Sequence, residues 1–332
     1  MTNDFDFVAI GDITTDAFIK LKKENARVLC DANGHKCEIC MSFGDKIPYE
    51  SVTDVYAVGN SPNAAVAAHR LGLRSALVTN LGDDPRGMRK ISQLEKEGVA
   101  TDFVKVHKGK ESNYHFVLWY EEERTILVKH HAYPYEMPDI GSPAWIYLSS
   151  LGESSLPFHH EIAAYLSARP ETKLVFQPGT FQMKLGYEAL KDMYALSELF
   201  FCNVQEAQKI LGNTNTDMPT LAKGIHALGP KIAVITDGPK GAYTHDGKET
   251  WYMPMYPDPA PPINRTGAGD AFASTFTAMR ALGKTVPEAL TYAPVNSMSV
   301  VQKVGAQAGL LSLPEIEAWL AKAPANYAPK HM

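Results

Sequence analysis

The sequence has few cysteines and no block of basic residues. Four of its 332 residues are cysteine, and we expect all four to stay reduced in a cytoplasmic protein. The formal net charge is −5 and the pI is about 6.1. Without a basic block, nucleic acid is not expected as a partner. An anionic substrate would need local positive groups rather than a favourable overall field.

Three further features are missing from the sequence. No apolar stretch is long enough to span a bilayer, so a membrane is not expected as a partner. Residues 1–6 lack the basic start and the apolar run of a signal peptide, which favours a cytoplasmic location. Residues 11–16, after the first apolar run, do not form a G-x-G-x-x-G turn. A dinucleotide-binding oxidoreductase is therefore not expected.

Short apolar runs alternate with helical patterns along most of the chain. Hydrophobic residues make up 45% of the sequence and charged residues 21%, as in ordinary globular proteins. The alternation predicts βαβ units and an α/β fold with a mostly parallel sheet covered on both faces. Ligands of such sheets lie beyond the carboxyl ends of the strands. The predicted strands include residues 7–10, 76–78, 145–148, 174–176, 199–202 and 232–235.

Two stretches break this alternation. Residues 18–58 contain no convincing long helix, and residues 103–127 alternate apolar and polar side chains, which is typical of strands. We predict that these two segments form a small separate β-sheet, either a lid that excludes water from a cleft or a surface extension used for oligomerisation. The main α/β domain then comprises residues 1–17, 59–102 and 128–332.

The most informative stretch is residues 264–272, which places Gly267, Ala268, Gly269 and Asp270 at the start of a predicted helix. Small residues let the backbone approach a ligand, and the first N–H groups of a helix attract an anion. A carboxylate beside bound phosphate suggests a general base that takes the proton of an attacking hydroxyl. The alternative is an ordinary helix start with an acidic first turn.

Polar residues that suit a polyol follow two earlier strands and turns. Asp12 and Asp16 come after the first predicted strand, and Gly59 and Asn63 belong to a turn before a helix of small residues. A carboxylate accepts hydrogen bonds from hydroxyl groups, and an amide both donates and accepts. Turn formation and helix capping are the alternative roles for Asp16 and Asn63.

Two more motifs suit a metal-bound nucleotide. Asn203 and Glu206 are three residues apart, so both can face a magnesium–phosphate complex, although the same pattern is typical of a helix cap. Thr236, Gly238 and Gly241 form a glycine-containing turn after an apolar run, where the backbone can contact a nucleotide.

Taken in order, these motifs resemble the ribokinase-like family of sugar and nucleoside kinases, also called PfkB carbohydrate kinases. The resemblance extends from about residue 7 to residue 320. It implies a three-layer α/β fold with a small β lid, ATP and Mg²⁺ as cofactors, and a dimer formed through the lid. It also implies that Asp270 is the catalytic base and that the amides of residues 267–269 form an anion hole. Asp16 and Asn63 would bind the acceptor. Asn203 and Glu206 would act around Mg²⁺ through water, Gly238 and Gly241 would lie along the nucleotide, and Asn296 and Gly305 would lie near its base.

The sequence departs from the family pattern in three places. Asn264 and Arg265 precede the glycines where relatives usually carry Asp-Thr, which puts binding of a monovalent cation such as potassium in doubt. Arg265 is expected to bind nucleotide or a phosphorylated substrate, or else to be a surface residue in an ion pair. Only one glycine, Gly59, occupies a turn that often has two, and Gln177 replaces an Asn or Asp before a proline.

Cysteine and histidine residues suggest two weaker hypotheses. Cys30, His35, Cys37 and Cys40 have a spacing that invites a zinc site, but a lid strand with small buried thiols explains them equally well. His130 and His131 are neighbours, so they would point to opposite faces of a strand and are expected to be lid or loop residues.

The function expected from the sequence is ATP-dependent phosphorylation of a primary hydroxyl of a small sugar. A nucleoside kinase is the first alternative, because the aromatic residues Phe116, Trp119 and Tyr120 of the lid could stack on a base. A catalytically inactive sugar sensor on the same scaffold is the second. The intact Asp270 and glycines argue against the sensor.

Overall fold

The computed structural model of the chain describes residues 5–31, 37–121 and 123–332. Ten strands form the main sheet, in the order β16-β15-β14-β13-β12-β11-β10-β1-β6-β7. The seven strands from β13 to β7 run parallel, and β14, β15 and β16 add antiparallel pairs at one edge. These strands are β1 (Phe7–Ile10), β6 (Ser75–Gly82), β7 (Val104–His107), β10 (Trp145–Leu148), β11 (Lys173–Phe176), β12 (Ser197–Asn203), β13 (Ile232–Thr236), β14 (Ala242–His245), β15 (Thr250–Met253) and β16 (Lys330–His331).

Helices cover both faces of the main sheet, as the sequence predicts. Successive residues of β1 point to opposite faces: Phe7 and Ala9 pack into one hydrophobic cluster, and Val8 and Ile10 pack into the other. The first cluster includes helices α1 (Asn60–Arg70), α2 (Pro85–Lys96), α8 (Ala268–Ala281), α9 (Val286–Val301) and α10 (Leu313–Leu320). The second includes α3 (Leu156–Ser167), α5 (Tyr187–Leu196), α6 (Val204–Leu211) and α7 (Met218–Ala227), and the short α4 (Thr180–Leu185) precedes α5.

A separate four-stranded sheet, which we call the lid, has the order β5-β2-β8-β9. Its strands are β2 (Thr14–Leu21), β5 (Tyr49–Val58), β8 (Tyr114–Tyr120) and β9 (Glu123–Leu127). The predicted lid segment 103–127 is therefore wrong at its start, because Val104–His107 pairs in parallel with β6 of the main sheet. The lid also begins earlier than predicted, so Asp16 lies on a lid strand.

A two-stranded hairpin, β3 (Arg27–Cys30) and β4 (Cys37–Cys40), extends from the lid region. Cys30 pairs opposite Cys37 in this hairpin and the two form a disulfide, so the expectation that all four cysteines stay reduced is wrong. The disulfide also removes two of the thiolates that a zinc site would need. His35, the proposed fourth ligand, lies outside the described residues. Among the residues described, no group of three His, Cys, Asp or Glu side chains is arranged to hold a metal, and no helix is long and apolar enough to cross a membrane.

Candidate active site

A cavity of about 660 Å³ lies between the carboxyl ends of the parallel strands and the lid. Asn203 and Thr236 end two of these strands, and Gln177 directly follows a third. The position agrees with the general rule that ligands of parallel sheets bind beyond the carboxyl ends of the strands. The cavity has two ends. We call the side formed by Gly267, Gly269 and Asp270 the helix end, and the side formed by Asp16, His115, Arg124, His130 and Lys184 the lid end.

At the helix end, α8 begins at a backbone conformation that only glycine adopts easily. Gly267 has φ 85° and ψ −2°, and a Cβ at this position would lie 2.3 Å from the Cβ of Ala306. Gly267 is the N-cap residue, so it has no side chain that could accept from the first N–H groups of the helix. Because the first N–H groups of a helix have no partner within it, the amides after Gly267 stay available to an anion, and the helix dipole favours negative charge there.

The carboxylate of Asp270 projects from the first turn of α8 and is held by three side-chain amides. Asn60 Nδ2 donates to Oδ1 at 2.7 Å, Gln177 Nε2 donates to Oδ1 at 3.2 Å, and Asn63 Nδ2 donates to Oδ2 at 2.8 Å. Burial raises the pKa of Asp270 above its usual value, and these amides oppose the shift. The result is an oriented carboxylate that is a better base than an exposed aspartate.

The amides that hold Asp270 are themselves held in place. Asn63 Oδ1 accepts a hydrogen bond of 3.0 Å from Gln307 Nε2, and Gln177 Oε1 accepts one from the hydroxyl of Tyr147. Asn63 lines the cavity, but its oxygen and its nitrogen both bond to the protein. The structure thus places Asn63 at the base as well as in the cavity wall.

Three of the four residues expected to bind the acceptor line the cavity, namely Asn63, Asp16 and Gly59, and Asp12 does not. Asp16 lines the cavity, and its Oδ1 lies 3.3 Å from His115 Nδ1 in an alignment too poor for a hydrogen bond. Gly59 lines it too, at φ 130°, where a Cβ would lie 2.7 Å from the carbonyl oxygen of Asp12.

Asp12 is buried behind the cavity wall and does not line it. Its carboxylate accepts hydrogen bonds from the Tyr135 hydroxyl at 2.9 and 3.0 Å, and His130 Nδ1 lies 3.0 Å from Oδ2. His130 lines the cavity where Asp12 was expected. Sequence reasoning missed this because it treated His130 only as a lid or loop residue.

Asn203 and Glu206 line the cavity and also form a helix cap. Asn203 Oδ1 accepts from the Glu206 backbone N–H at 2.9 Å, and Glu206 Oε2 accepts from the Asn203 N–H at 2.9 Å. The pair can therefore cap the helix and still act around Mg²⁺. Burial raises the pKa of Glu206. Its second carboxylate oxygen leaves an anionic oxygen for a hydrated cation, which fits the few protein ligands that Mg²⁺ usually takes.

A second cavity of about 440 Å³ continues from the helix end. Thr236, Arg265 and Gly269 line both cavities, and Gly238 and Gly241 line the second. Gly241 has φ 101°, and a Cβ there would lie 2.3 Å from the carbonyl oxygen of Met253. The expected nucleotide turn thus lies where a ligand that occupies both cavities would contact its backbone.

Two residues expected near the nucleotide base line neither cavity. Asn296 is fully buried, donates to the Thr275 hydroxyl at 2.8 Å and accepts from the Leu311 N–H at 2.9 Å, so it joins two elements of the core. Gly305 approaches the lid, because a Cβ there would lie 3.2 Å from the side chain of Val55.

The residues before the glycines have separate roles. Arg265 Nε lies 3.7 Å from Glu123 Oε1 of the lid, so the arginine is in an ion pair as well as in both cavities. Asn264 is fully buried, its Oδ1 accepts from the Thr266 N–H at 2.9 Å, and its Nδ2 has no partner among the described residues. An unpartnered donor offers nothing to a cation.

The lid aromatics do not reach the cavity. Phe116 packs edge-on against Tyr114, the Trp119 indole donates to the Glu121 carbonyl at 2.7 Å, and Tyr120 lines a different depression on the lid. Two phenylalanine rings line the cavity instead, those of Phe181 and Phe201. No sequence pattern pointed to these rings, to Arg124 or to Asn60, although Asn60 is close to Asn63 in the chain.

Comparison with known proteins identifies the family to which the chain is similar. A family model described as "pfkB family carbohydrate kinase" matches residues 30–313. A ribokinase of Bacillus subtilis is 26% identical over 265 residues, which covers 78% of this chain and 86% of the ribokinase.

Solved structures show the same fold. The structure of Arabidopsis thaliana ribokinase complexed with ribose and ATP has a TM-score of 0.78 with 19% identity, and the match covers 95% of this chain and 98% of that one. A nucleoside kinase of Methanocaldococcus jannaschii has a TM-score of 0.75 with 15% identity, over 96% of this chain and 99% of that one. The three-layer fold with a separate small sheet is thus confirmed.

Proposed function

The chain belongs to the pfkB family of carbohydrate kinases and is an ATP-dependent sugar kinase, and we propose that it transfers a phosphoryl group to a primary hydroxyl of a small sugar with Asp270 as the general base. One observation carries this proposal. The Asp270 carboxylate lies in the cavity beside the uncapped start of α8, fixed by three amides. A base and an anion site are thus adjacent, as phosphoryl transfer requires.

In the proposed reaction, an acceptor hydroxyl lies within hydrogen-bond distance of Asp270. The carboxylate takes the hydroxyl proton as the oxygen attacks the terminal phosphorus of ATP, the bond from that phosphorus to the bridging oxygen breaks, and ADP leaves. The raised pKa of Asp270 favours the proton transfer. The amides of Gly267, Ala268 and Gly269 face the transferred group, where they stabilise the negative charge on its oxygens. Arg265 adds a fixed positive charge at the junction of the two cavities.

ATP is proposed to occupy the second cavity, with Thr236, Gly238 and Gly241 along it and its terminal phosphate at the helix end. Asn203 and Glu206 suit a hydrated Mg²⁺, because Glu206 supplies one carboxylate at the cavity wall. When bound, Mg²⁺ would neutralise part of the charge of the phosphates. Two copies are proposed to associate through the lid, whose strands expose the apolar side chains of Tyr49, Val52 and Phe116.

Among the alternatives, a nucleoside kinase loses the support that the lid aromatics gave it, because those side chains do not line the cavity. A catalytically inactive sensor would have no use for a carboxylate held by three amides. The sugar kinase therefore remains the better reading of the site.

The test replaces Asp270 by Asn and measures ADP release with ATP, Mg²⁺ and the best acceptor from a panel of pentoses and hexoses. We expect turnover to fall by about 10²–10⁴, as for loss of a general base. Affinity for ATP, measured by calorimetry, should be retained. Asp192→Asn, on the exposed side of α5, is the matched control and should keep full turnover. Unchanged turnover in Asp270→Asn would contradict the mechanism.

A further inference from the structure

The lid end of the cavity is lined by positive and imidazole side chains from several elements. His115 comes from β8, Arg124 from β9, His130 from the segment that follows the lid, and Lys184 from α4. None of the four lines the second cavity, where ATP apart from its terminal phosphate is proposed to lie. They are therefore separate from that part of the nucleotide, and Arg124 is also close enough to Asp270 to lower the pKa of that carboxyl.

The two histidines form one unit. Their ring centroids are 5.2 Å apart, and each Nδ1 lies near an aspartate oxygen, at 3.3 Å from Asp16 for His115 and at 3.0 Å from Asp12 for His130. Both side chains are largely buried. His115 Nε2 is buried without a hydrogen-bond partner among the described residues. A buried nitrogen without a partner is costly, so this atom indicates a missing ligand group.

The cations of the lid end are poorly compensated by the protein. Arg124 has Glu123 as a partner at 3.4 Å, and that glutamate side chain is 68% exposed, so the pair is weak. For Lys184 no carboxylate lies within salt-bridge distance in the described part of the chain. Its ammonium lies 5.1 Å from the centre of the Phe181 ring, which also packs edge-on against His130 at 5.6 Å.

The acids that line the same cavity differ in what they bond to. Asp270 accepts from three amides and Glu206 caps α6, whereas Asp16 lies beside His115 with its Oδ1 left without a hydrogen-bond partner among the described residues. A neutral polyol would need acceptors for its hydroxyl protons as well as donors, and Asp16 is one such acceptor. The lid end also offers the positive charges of Arg124 and Lys184, which favour a ligand that brings negative charge of its own.

We propose that the acceptor carries an anionic group, a carboxylate or a phosphate, which binds at the lid end through Arg124 and Lys184 with the two histidines beside it. This inference rests on the proposed function and deepens it. The reacting hydroxyl then lies at the other end of the acceptor, beside Asp270. The substrate class is a sugar acid or a sugar phosphate that keeps a free primary hydroxyl.

The experiment compares matched acceptors that differ in charge: glucose with gluconate, and fructose with fructose 6-phosphate. Each anionic compound retains a primary hydroxyl. We expect kcat/KM for the anionic member of at least one pair to exceed that of its neutral partner by about tenfold or more. Gluconate as the preferred acceptor would identify a carboxylate, and fructose 6-phosphate would identify a phosphate.

Variants then test the residues. Lys184→Gln and Arg124→Gln should each lower kcat/KM for the anionic acceptor by about tenfold more than for its neutral partner, mainly through KM. Lys191→Gln, an exposed lysine on α5 outside the cavity, is the matched control and should change neither value. An equal effect on both members of a pair would overturn the assignment of these residues to the anionic group.

The remaining outcomes separate this inference from the proposed function. Turnover of neutral sugars alone would overturn the inference and leave the sugar kinase intact. If none of the four compounds is turned over, calorimetric titration of each into the wild-type protein decides. Tighter binding of the anionic members, lost in Lys184→Gln, would support the inference, and equal or absent binding would overturn it. Absence of ADP release with every sugar would count against the proposed function.

Discussion

Asp270 and His115 line the same cavity, yet their polar atoms have very different surroundings. Both oxygens of Asp270 accept hydrogen bonds from amides of other elements, whereas His115 Nε2 is buried without a partner among the described residues. The base at the helix end is thus held by the protein itself, whereas His115 at the lid end keeps a buried nitrogen for a ligand to contact. A preorganised base suits a chemical step that is the same for every substrate. A polar atom without a partner in the cavity wall suits recognition of a particular substrate.

The largest effect is expected from a change at the helix end. Gly267→Ala places a methyl group 2.3 Å from the Cβ of Ala306 and forces a non-glycine residue to φ 85°. Because the amides after this residue would shift away from the phosphate, turnover should fall by about 10²–10³. The rate of ADP release with ATP, Mg²⁺ and the acceptor measures this fall in turnover.

Gly283→Ala is the control for Gly267→Ala. Gly283 has φ 84°, follows the same helix, and has open space where a Cβ would lie. It therefore reproduces the backbone strain without the contact. Both variants should lose some thermal stability, but only Gly267→Ala should lose turnover. Equal losses of turnover would mean that the start of α8 has no special part in the reaction.

A smaller effect is expected when one support of the base is removed. Asn60→Ala deletes the 2.7 Å hydrogen bond to Asp270 Oδ1, which favours the ionised carboxylate. The pKa of Asp270 should rise further, and the acid limb of the pH–kcat profile should move to higher pH. At neutral pH we expect kcat to fall by about tenfold. An unshifted acid limb would show that Asn60 does not act through the base.

At the lid end, the supporting residues should affect binding of the acceptor rather than the chemical step. Tyr135→Phe removes the hydroxyl that donates to both oxygens of Asp12, the residue that holds His130. We expect KM for the acceptor to rise by about fivefold, with kcat nearly unchanged. Tyr165→Phe, whose hydroxyl bonds to the Gly141 carbonyl far from the cavity, is the control. A fall in kcat with KM unchanged would place Tyr135 in the chemistry instead.

The smallest effect concerns stability at the base of the lid. Lys90 is fully buried, donates to the Asn113 carbonyl at 2.8 Å just before β8, and burial lowers its pKa to about 8. Above this pH the folded protein binds fewer protons than the unfolded chain, in which lysine titrates near 10.5. The free energy of unfolding should therefore gain up to about 1 kcal/mol per pH unit from this group above pH 8.

Chemical denaturation of the wild type and of Lys90→Met between pH 7.5 and about 9.5 measures this contribution, within a window that ends before tyrosines titrate. The wild type should gain stability relative to the variant as the pH rises. A constant difference between the two proteins would show that Lys90 stays charged in the folded state.

The fold and the helix end were predictable from the sequence because their signals are local. Alternating strands and helices specify the parallel sheet, and the Gly267–Asp270 turn is contiguous in the chain, so its residues lie together in any fold that keeps the helix. The order of the motifs along the chain also indicated the family. Asp16, Asn203 and Glu206 also line the cavity, as predicted. Asp16 is at the same time part of a lid strand, and Asn203 and Glu206 form a helix cap.

The lid end was not predictable in the same way, because its residues come from five separate segments that only the tertiary structure brings together. Asp12 was expected to face the ligand, but Tyr135 and His130, more than a hundred residues later, enclose its carboxylate. Asn296 was expected near the nucleotide, but its helix presents Ser297 and Met298 to the second cavity instead. Which residue of a helix faces a cavity depends on how the helix is rotated about its axis, and a rotation by one residue changes it. The sequence pattern does not determine that rotation.

The most direct test of the central claim measures ADP release by the wild-type protein and Asp270→Asn, side by side, across pentoses, hexoses, sugar acids, sugar phosphates and nucleosides with ATP and Mg²⁺. We predict that the wild type phosphorylates at least one sugar or sugar derivative and that the variant binds ATP but loses nearly all of that turnover. Turnover of nucleosides alone, or equal turnover by both proteins, would contradict the account.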